Sequence, residues 1–167
     1  AKCQNLTRQK LDQIEVLFTD YYDSEGPGGA FAIIQNGAVV LKKTQGLANV
    51  EYQIPITDAS VFNIASNSKQ ITATMALILE EQGKLNLDED IRTYLPELQG
   101  LPRLITVKQL TNHTHGLPNI DELADLKGFE NMVYGEILDM LLDIRQLNFK
   151  PGDRYEYGNT GFFLLSE

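Results

Sequence analysis

The stretch AFAIIQNGAVVLKKT, residues 30–44, limits the fold more than any other part of the chain. Two apolar runs flank Asn36-Gly37, and that pair suits a two-residue type I′ turn because both central positions tolerate positive φ. The pattern predicts a β-hairpin. Ahead of it, Leu11, Ile14, Leu17, Phe18 and Tyr21 recur at helical spacing between Leu6 and Tyr22, which predicts an amphipathic helix lying on the sheet. The breaker run SEGPGG separates the two elements. Residues 44–64 carry Gly46, Pro55 and the turn-like TDAS, and leave room for a short third strand.

From about Ser66 to Gln82 a second amphipathic helix places Ile71, Met75, Ile78 and Leu79 on one face, with Gly83 positioned to end it. Beyond Asp88 the pattern is helical or irregular. TVKQLTNHTHGLP predicts a short helix capped by Thr106 and stopped by Gly116 and Pro118. NMVYGEILDMLLDIRQ puts Ile137, Met140, Leu141 and Ile144 on one face of a longer helix. FKPGDRYEYGN makes a Pro-Gly-Asp turn ahead of the apolar run TGFFLLSE. One helix, one hairpin and then mostly helices is an α+β order. Two or three strands make a marginal sheet with an unpaired edge, so the expectation is the amino-terminal part of a larger domain. Its remainder would come from later in the gene or from another chain.

Composition removes several classes of function. With 167 residues, 43% of them hydrophobic and 22% charged, the chain is long enough to bury a core. A formal net charge of -9 argues against nucleic acid and anionic membrane surfaces, which attract a basic face. No apolar run approaches the roughly 18–20 residues of a membrane span, and the first residues lack a signal-peptide pattern. The chain is therefore expected to be cytoplasmic or already stripped of a leader. Cys3 is the only cysteine, which excludes an internal disulfide and a Cys-rich zinc site. A free terminal thiol is its expected state, because Lys2 fits a lipidation site poorly.

The stretch FNIASNSKQITA raises a chemical question at Ser66 and Lys69. A Ser followed three places later by Lys arises by chance roughly once in a chain this long, and Ser favours helix starts for capping reasons alone. The alternative is specific. Residues three apart share a helix face, so Lys69 can reach Ser66 Oγ and act as its base partner. A serine at a helix start also has backbone N–H groups ready beneath a developing oxyanion. Ile64-Ala65 are expected to deliver it from a buried segment. The second element is YGN: Tyr157 could relay a proton and Asn159 hold a substrate amide, or Asn159 could simply cap TGFFLL.

The two histidines, His113 and His115, form a His-x-His pair, but two ligands on a loop without a nearby Cys or carboxylate cluster make a poor metal site. They are expected at the end of the short helix, where imidazoles suit the dipole, and neither is a candidate base. LDEDI at 87–91 and DELAD at 121–125 are expected to be solvated acids at helix starts rather than paired catalytic carboxylates.

Four blocks now stand in order: FNIASNSKQITA, LEEQGKLNLDEDIRTYLPEL, ITVKQLTNHTHGLP and FKPGDRYEYGNTGFFLL. In order and spacing they resemble the serine β-lactamase and penicillin-binding protein superfamily, in its branch of class C β-lactamases, D-alanyl-D-alanine carboxypeptidases and esterases. The likeness covers nearly the whole chain, including GLANVEYQIPIT. It implies a β-lactamase/transpeptidase-like α+β fold of the α/β sandwich type, an antiparallel sheet flanked by helices with a helical region after the nucleophile helix, incomplete in this chain. Residues 1–65 would supply helix and hairpin to the sheet part, and residues 66–167 the nucleophile helix and helical region.

The resemblance further implies that Ser66 is the acylated nucleophile, Lys69 its base partner, Tyr157 the general base or proton relay, and Asn159 a substrate-binding group. It implies a serine hydrolase acting on a β-lactam, a D-Ala-D-Ala peptide or a small ester, with no metal and no organic cofactor. The alternative is a penicillin-binding or catalytically silent regulatory homologue. A periplasmic or extracytoplasmic location rests on the resemblance alone. Two departures stand out: HTHG replaces the usual HTSG, and the Lys-Thr-Gly or His-Thr-Gly strand of the family is absent, since KKT at 42–44 has no following Gly. One lost oxyanion donor costs roughly 3 kcal/mol of transition-state stabilisation. The isolated 167-residue piece is therefore expected to be nearly inactive, and ordinary turnover of an acyl ester by it would refute that.

Overall fold

The computed structural model describes residues 5–123 and 134–167. The readings of Cys3, of the end of DELAD and of the start of NMVYGE lie outside the described residues. The chain divides into two compact units, residues 1–63 and 64–167.

In the first unit, helix α1 (Arg8–Tyr21) opens at Thr7, whose Oγ1 accepts the Lys10 N–H at 3.3 Å. Strands β1 (Gly29–Gln35) and β2 (Ala38–Gln45) pair antiparallel, with a register shift between Ile33 and Ile34. Asn36 and Gly37 take φ of 53° and 79°, as the expected I′ hairpin requires. The helix packs on the hairpin through Phe18, whose ring lies 4.6 Å from that of Phe31, and through a Glu15–Lys43 ion pair. Its inner stripe is Leu11, Ile14, Phe18 and, just past its end, Tyr22, at helical spacing. Leu17 and Tyr21, expected on that face, are instead exposed. The expected third strand, β3 (Leu47–Asn49), pairs with β4 (Ile54–Pro55) in a separate short ribbon and touches Pro27 by one bridge.

In the second unit, a 3₁₀ turn (Ala65–Asn67) leads into α2 (Ser68–Glu81), which stops before Gly83 at φ 67°. Among the described residues, 3₁₀ turns at Ile91–Thr93 and Pro96–Gly100 and the helical segments α3 (Val107–Thr111), α4 (Ile120–Leu123), α5 (Tyr134–Leu142) and α6 (Thr160–Leu164) follow. Ile91, Leu98, Ile105, Leu110, Ile120, Leu141 and Leu164 form the buried core, joined by Ile137 and Ile144 from the face expected of the longer helix.

The orientation of α2 overturns one expectation. Ile71, Met75, Ile78 and Leu79 are exposed, while Ala76 is buried and Lys69, Thr72, Ala73 and Glu80 are half-buried. Those five sit at i, i+3, i+4, i+7 and i+11, a single helical face. This inward face of mostly small residues carries Lys69, whose ammonium finds its hydrogen bonds there. Glu80 at the other end of the face accepts the Leu87 N–H at 3.0 Å.

Helix α3 carries a full capping box between Thr106 and Gln109. It ends at Thr111, before the expected stop at Gly116, because His113 takes a left-handed φ of 59°. The following loop is sewn to the segment before Tyr157 by backbone bonds: Asn148 N–H to Gly116 O at 2.8 Å, Gly152 N–H to Thr114 O at 2.8 Å, and Glu156 N–H to His113 O at 2.9 Å. Gly116 permits this seam. Its φ is 76°, and a Cβ there would lie 2.3 Å from the Phe149 carbonyl oxygen.

His113 and His115 are buried in this loop. His115 Nδ1 accepts the Leu117 N–H at 2.9 Å, so the proton resides on Nε2, and that buried atom has no hydrogen-bond partner among the described residues. Gly161 lets α6 lie against it, since a Cβ there would be 2.9 Å from His115 Nε2. Burial, helped by the nearby His113, depresses the His115 pKa to about 4, against an opposing pull from Glu156. The unfolded chain, with a histidine near 6.5, then takes up a proton that the folded chain refuses. Stability is complete above pH 6.5 and falls as pH drops towards 4, by about 3 kcal/mol at most. Urea unfolding from pH 7.5 to 4 is expected to show this decline, and His115→Ser to flatten most of it.

Candidate active site

Ser66 stands in the middle of the 3₁₀ turn, two residues before α2 begins. The chain reaches it through Ala65, a non-glycine residue at φ 45°, a conformation costing roughly 1–2 kcal/mol for a residue with a Cβ. This sharp entry lifts the serine outward. Ile64, Ala65 and Ser66 are all exposed, which corrects the expectation of a buried approach.

Two side chains meet at Ser66 Oγ. Lys69 Nζ donates to it at 3.0 Å and the Tyr157 hydroxyl donates at 2.7 Å, across 91 positions of sequence. The near-complete turn between Ser66 and Lys69 accounts for the first contact. The seam between residues 113–116 and 148–156 accounts for the second, because it ends one residue before Tyr157. His113 completes the support: its Nδ1 accepts the Gly158 N–H at 3.4 Å, and its ring lies 4.7 Å from that of Tyr157 and 5.2 Å from that of Phe162. Lys69 Nζ stands 5.2 Å and 5.7 Å from the centroids of the Tyr157 and Phe162 rings.

Asn159 holds the N-cap position of α6, yet its side chain makes no capping bond. Its Oδ1 accepts from Lys69 Nζ at 2.6 Å, and its Nδ2 donates to Asp121 Oδ2 at 2.7 Å. Asn119 donates to the same carboxylate oxygen at 3.2 Å and accepts the Asn159 N–H at 2.9 Å. Fully buried Thr160 pins the loop that carries them. Its hydroxyl donates to the Pro118 carbonyl at 2.6 Å and accepts the Ile120 N–H at 2.8 Å. All four sequence-predicted site residues thus come together, joined by His113 and Asp121, expected at a helix end and a solvated helix start, and by Asn119, which no motif singles out.

The net effect of the groups around Tyr157 is to favour its phenolate. Hydrogen bonding with Ser66, then with Lys69, together with the Lys69 charge, pulls the phenol below its ordinary pKa of 10, while burial and the Asp121 carboxylate oppose. His113 is held below its ordinary value by burial and by Lys69, so it stays neutral beside the lysine. Among the described residues, no group of three or more His, Cys, Asp and Glu is arranged to hold a metal ion, and no helix is long and apolar enough to cross a membrane. The cluster offers a hydroxyl within hydrogen-bonding reach of a phenol and an ammonium, the parts needed to move a serine proton.

This architecture is that of the β-lactamase and penicillin-binding proteins. The D-amino acid amidase of Ochrobactrum anthropi SV3 superposes with a TM-score of 0.74 at 27% identity, over 92% of this chain and 43% of the amidase. A class C β-lactamase does so with a TM-score of 0.72 at 27% identity, over 92% of this chain and 40% of that one. The chain belongs to the Beta-lactamase family, whose model matches residues 7–167. Among curated relatives, Protein flp of Staphylococcus aureus (strain N315) is 30% identical over 169 residues, 99% of this chain and 33% of the relative. The chain thus spans about a third of the length of the curated relatives it matches first.

The Tyr157 environment gives a direct test. The titration of Tyr157, isolated as the ultraviolet difference between the protein and Tyr157→Phe, is expected to have a midpoint below 10. Lys69→Ala is expected to move it back towards 10, since it removes both a hydrogen bond and a charge that favour the phenolate.

Proposed function

We propose that this chain carries the nucleophile-bearing part of a serine hydrolase that forms an acyl-enzyme on Ser66. The observation that supports this reading most is the convergence of Lys69 and Tyr157 on one serine oxygen, at 3.0 and 2.7 Å. A serine kept only to open a helix has no need of either.

In this reading Ser66 Oγ attacks the carbonyl carbon of an amide or ester. Its proton passes to the Tyr157 oxygen, in the deprotonated state that its depressed pKa makes accessible. Lys69 compensates the negative charge on the phenolate. The tetrahedral intermediate collapses, Tyr157 returns the proton to the leaving amine or alcohol, and water later releases the acyl group by the reverse sequence. In this reading the Ser66 backbone N–H, at the start of a helical turn, serves as one donor to the oxyanion. The substrate classes that fit are a β-lactam, a D-Ala-D-Ala peptide and a small ester. The names of an amidase and a β-lactamase among the structural neighbours support amide chemistry without choosing among these.

Intact-mass spectrometry of the full-length protein after incubation with a fluorescent penicillin and with a fluorophosphonate tests the reading. An adduct absent in Ser66→Ala is expected, and its decay with time would mark a hydrolase. A penicillin adduct that persists would mark a penicillin-binding protein instead, and no adduct with either probe would sink the proposal. Tyr157→Phe is expected to slow adduct formation by about 10²–10⁴-fold.

A further inference from the structure

We propose that Asp121 is a positioning residue that fixes the orientation of the Asn159 carboxamide, oxygen towards Lys69 and nitrogen away from it. The inference deepens the Ser66 reading and rests on it only for its effect on rate.

An asparagine amide has two nearly isosteric ends, one accepting and one donating, so something must choose between them. Here the two ends meet charges of opposite sign. Asn159 Oδ1 lies 2.6 Å from the Lys69 ammonium, and Nδ2 lies 2.7 Å from Asp121 Oδ2. Turning the amide over would set an NH₂ against an ammonium and a carbonyl oxygen against a carboxylate. Both contacts would be repulsive. Lys69 alone discourages the flip from one side; Asp121 makes it unfavourable from both.

Asp121 is itself held in place. Asn119, two residues earlier, donates to the same oxygen at 3.2 Å and takes the Asn159 N–H at 2.9 Å, so the pair brackets Asn159 by backbone and side chain. The buried Thr160 hydroxyl clamps the intervening chain through Pro118 and Ile120. Asp121 stands in the first turn of α4, yet its carboxylate is engaged by the side chains of Asn119 and Asn159.

The consequence concerns what remains free. Asn159 Nδ2 carries two protons, and Asp121 engages one. The second is left for a carbonyl oxygen on the substrate, the group an acylated peptide or an acylamino side chain presents next to its reacting carbonyl. Without Asp121, the amide can rotate, and that donor loses its fixed direction.

The test uses the full-length protein labelled with ¹⁵N at asparagine, with the Asn159 side-chain signal identified by its loss in Asn159→Ser. The two Nδ2 protons are expected to be widely split and slow to exchange with solvent in the parent protein, and in Asp121→Ala to narrow towards the splitting of a free asparagine amide and to exchange faster. Asp121→Asn keeps an accepting oxygen and is expected to retain most of the splitting. Labelling of Ser66 by the fluorescent penicillin is expected to slow by about 10–100-fold in Asp121→Ala, as misplacement of a substrate-orienting group does, and to recover largely in Asp121→Asn. Should Asp121→Ala fail to fold, Asp121→Glu, whose longer arm moves the carboxylate, gives the same reading.

An unchanged Asn159 signal in Asp121→Ala overturns the proposal whatever the rate. A lost signal with an unchanged rate overturns it too, reducing Asp121 to a structural contact. Absence of any Ser66 adduct in the parent protein would count against the functional reading instead, while the amide signal would still decide whether Asp121 sets the orientation.

Discussion

The ammonium of Lys69 is the interaction on which the arrangement of residues 64–167 depends. A cation facing inward needs acceptors, and this one finds Ser66 Oγ at 3.0 Å, Asn159 Oδ1 at 2.6 Å and two aromatic faces beyond them. The face of α2 that carries it, with Thr72, Ala73 and Ala76, is turned towards the core of these residues. Asp121 supplies the balancing charge, two hydrogen bonds away from the lysine and separated from it by a neutral amide.

A second constraint delivers the partner groups to that lysine. The loop after α3 departs from helix at His113, and its carbonyls then accept N–H groups from the segment ahead of Tyr157. The left-handed residues His113 and Gly116 are thus placed where the chain must turn its acceptors towards a distant segment. Stitching of this kind leaves little freedom to Tyr157, and the His113 ring removes more of it from the side. Gly161 lets α6 approach His115 closely, which brings Asn159 into line with Asn119.

Much of the local structure was legible in the sequence because local rules decide it. Asn36-Gly37 could hardly form anything but a tight hairpin, Thr106 with Gln109 is a capping box by spacing, and Ile137 with Leu141 and Ile144 marks a buried face. Ser66, Lys69, Tyr157 and Asn159 were legible only through the order of four blocks, since neither short motif is distinctive alone. The rotation of α2 and the exposure of Leu17 were not legible. Periodicity tells that a helix has an apolar stripe, but what that stripe faces is settled by tertiary contacts.

Asn119, Asp121 and His113 escaped the reading for a related reason. Ser, Thr, Asn and Asp are the residues that cap helices and close turns, so each has a sufficient local explanation wherever it occurs near a helix start. Asn159 occupies a cap position and Asp121 a first helical turn, yet both spend their side chains on groups far away in sequence. Thr106, by contrast, does cap, and bonds only three residues on. What separates the two kinds is whether a competing charge lies within reach. A backbone N–H at a helix start offers a neutral hydrogen bond that water can replace, whereas an inward-facing ammonium offers a charge-assisted one that water replaces poorly. The carboxamide of Asn159 therefore leaves its own helix start for Lys69, and the carboxylate of Asp121 follows to the amide end that the lysine cannot use.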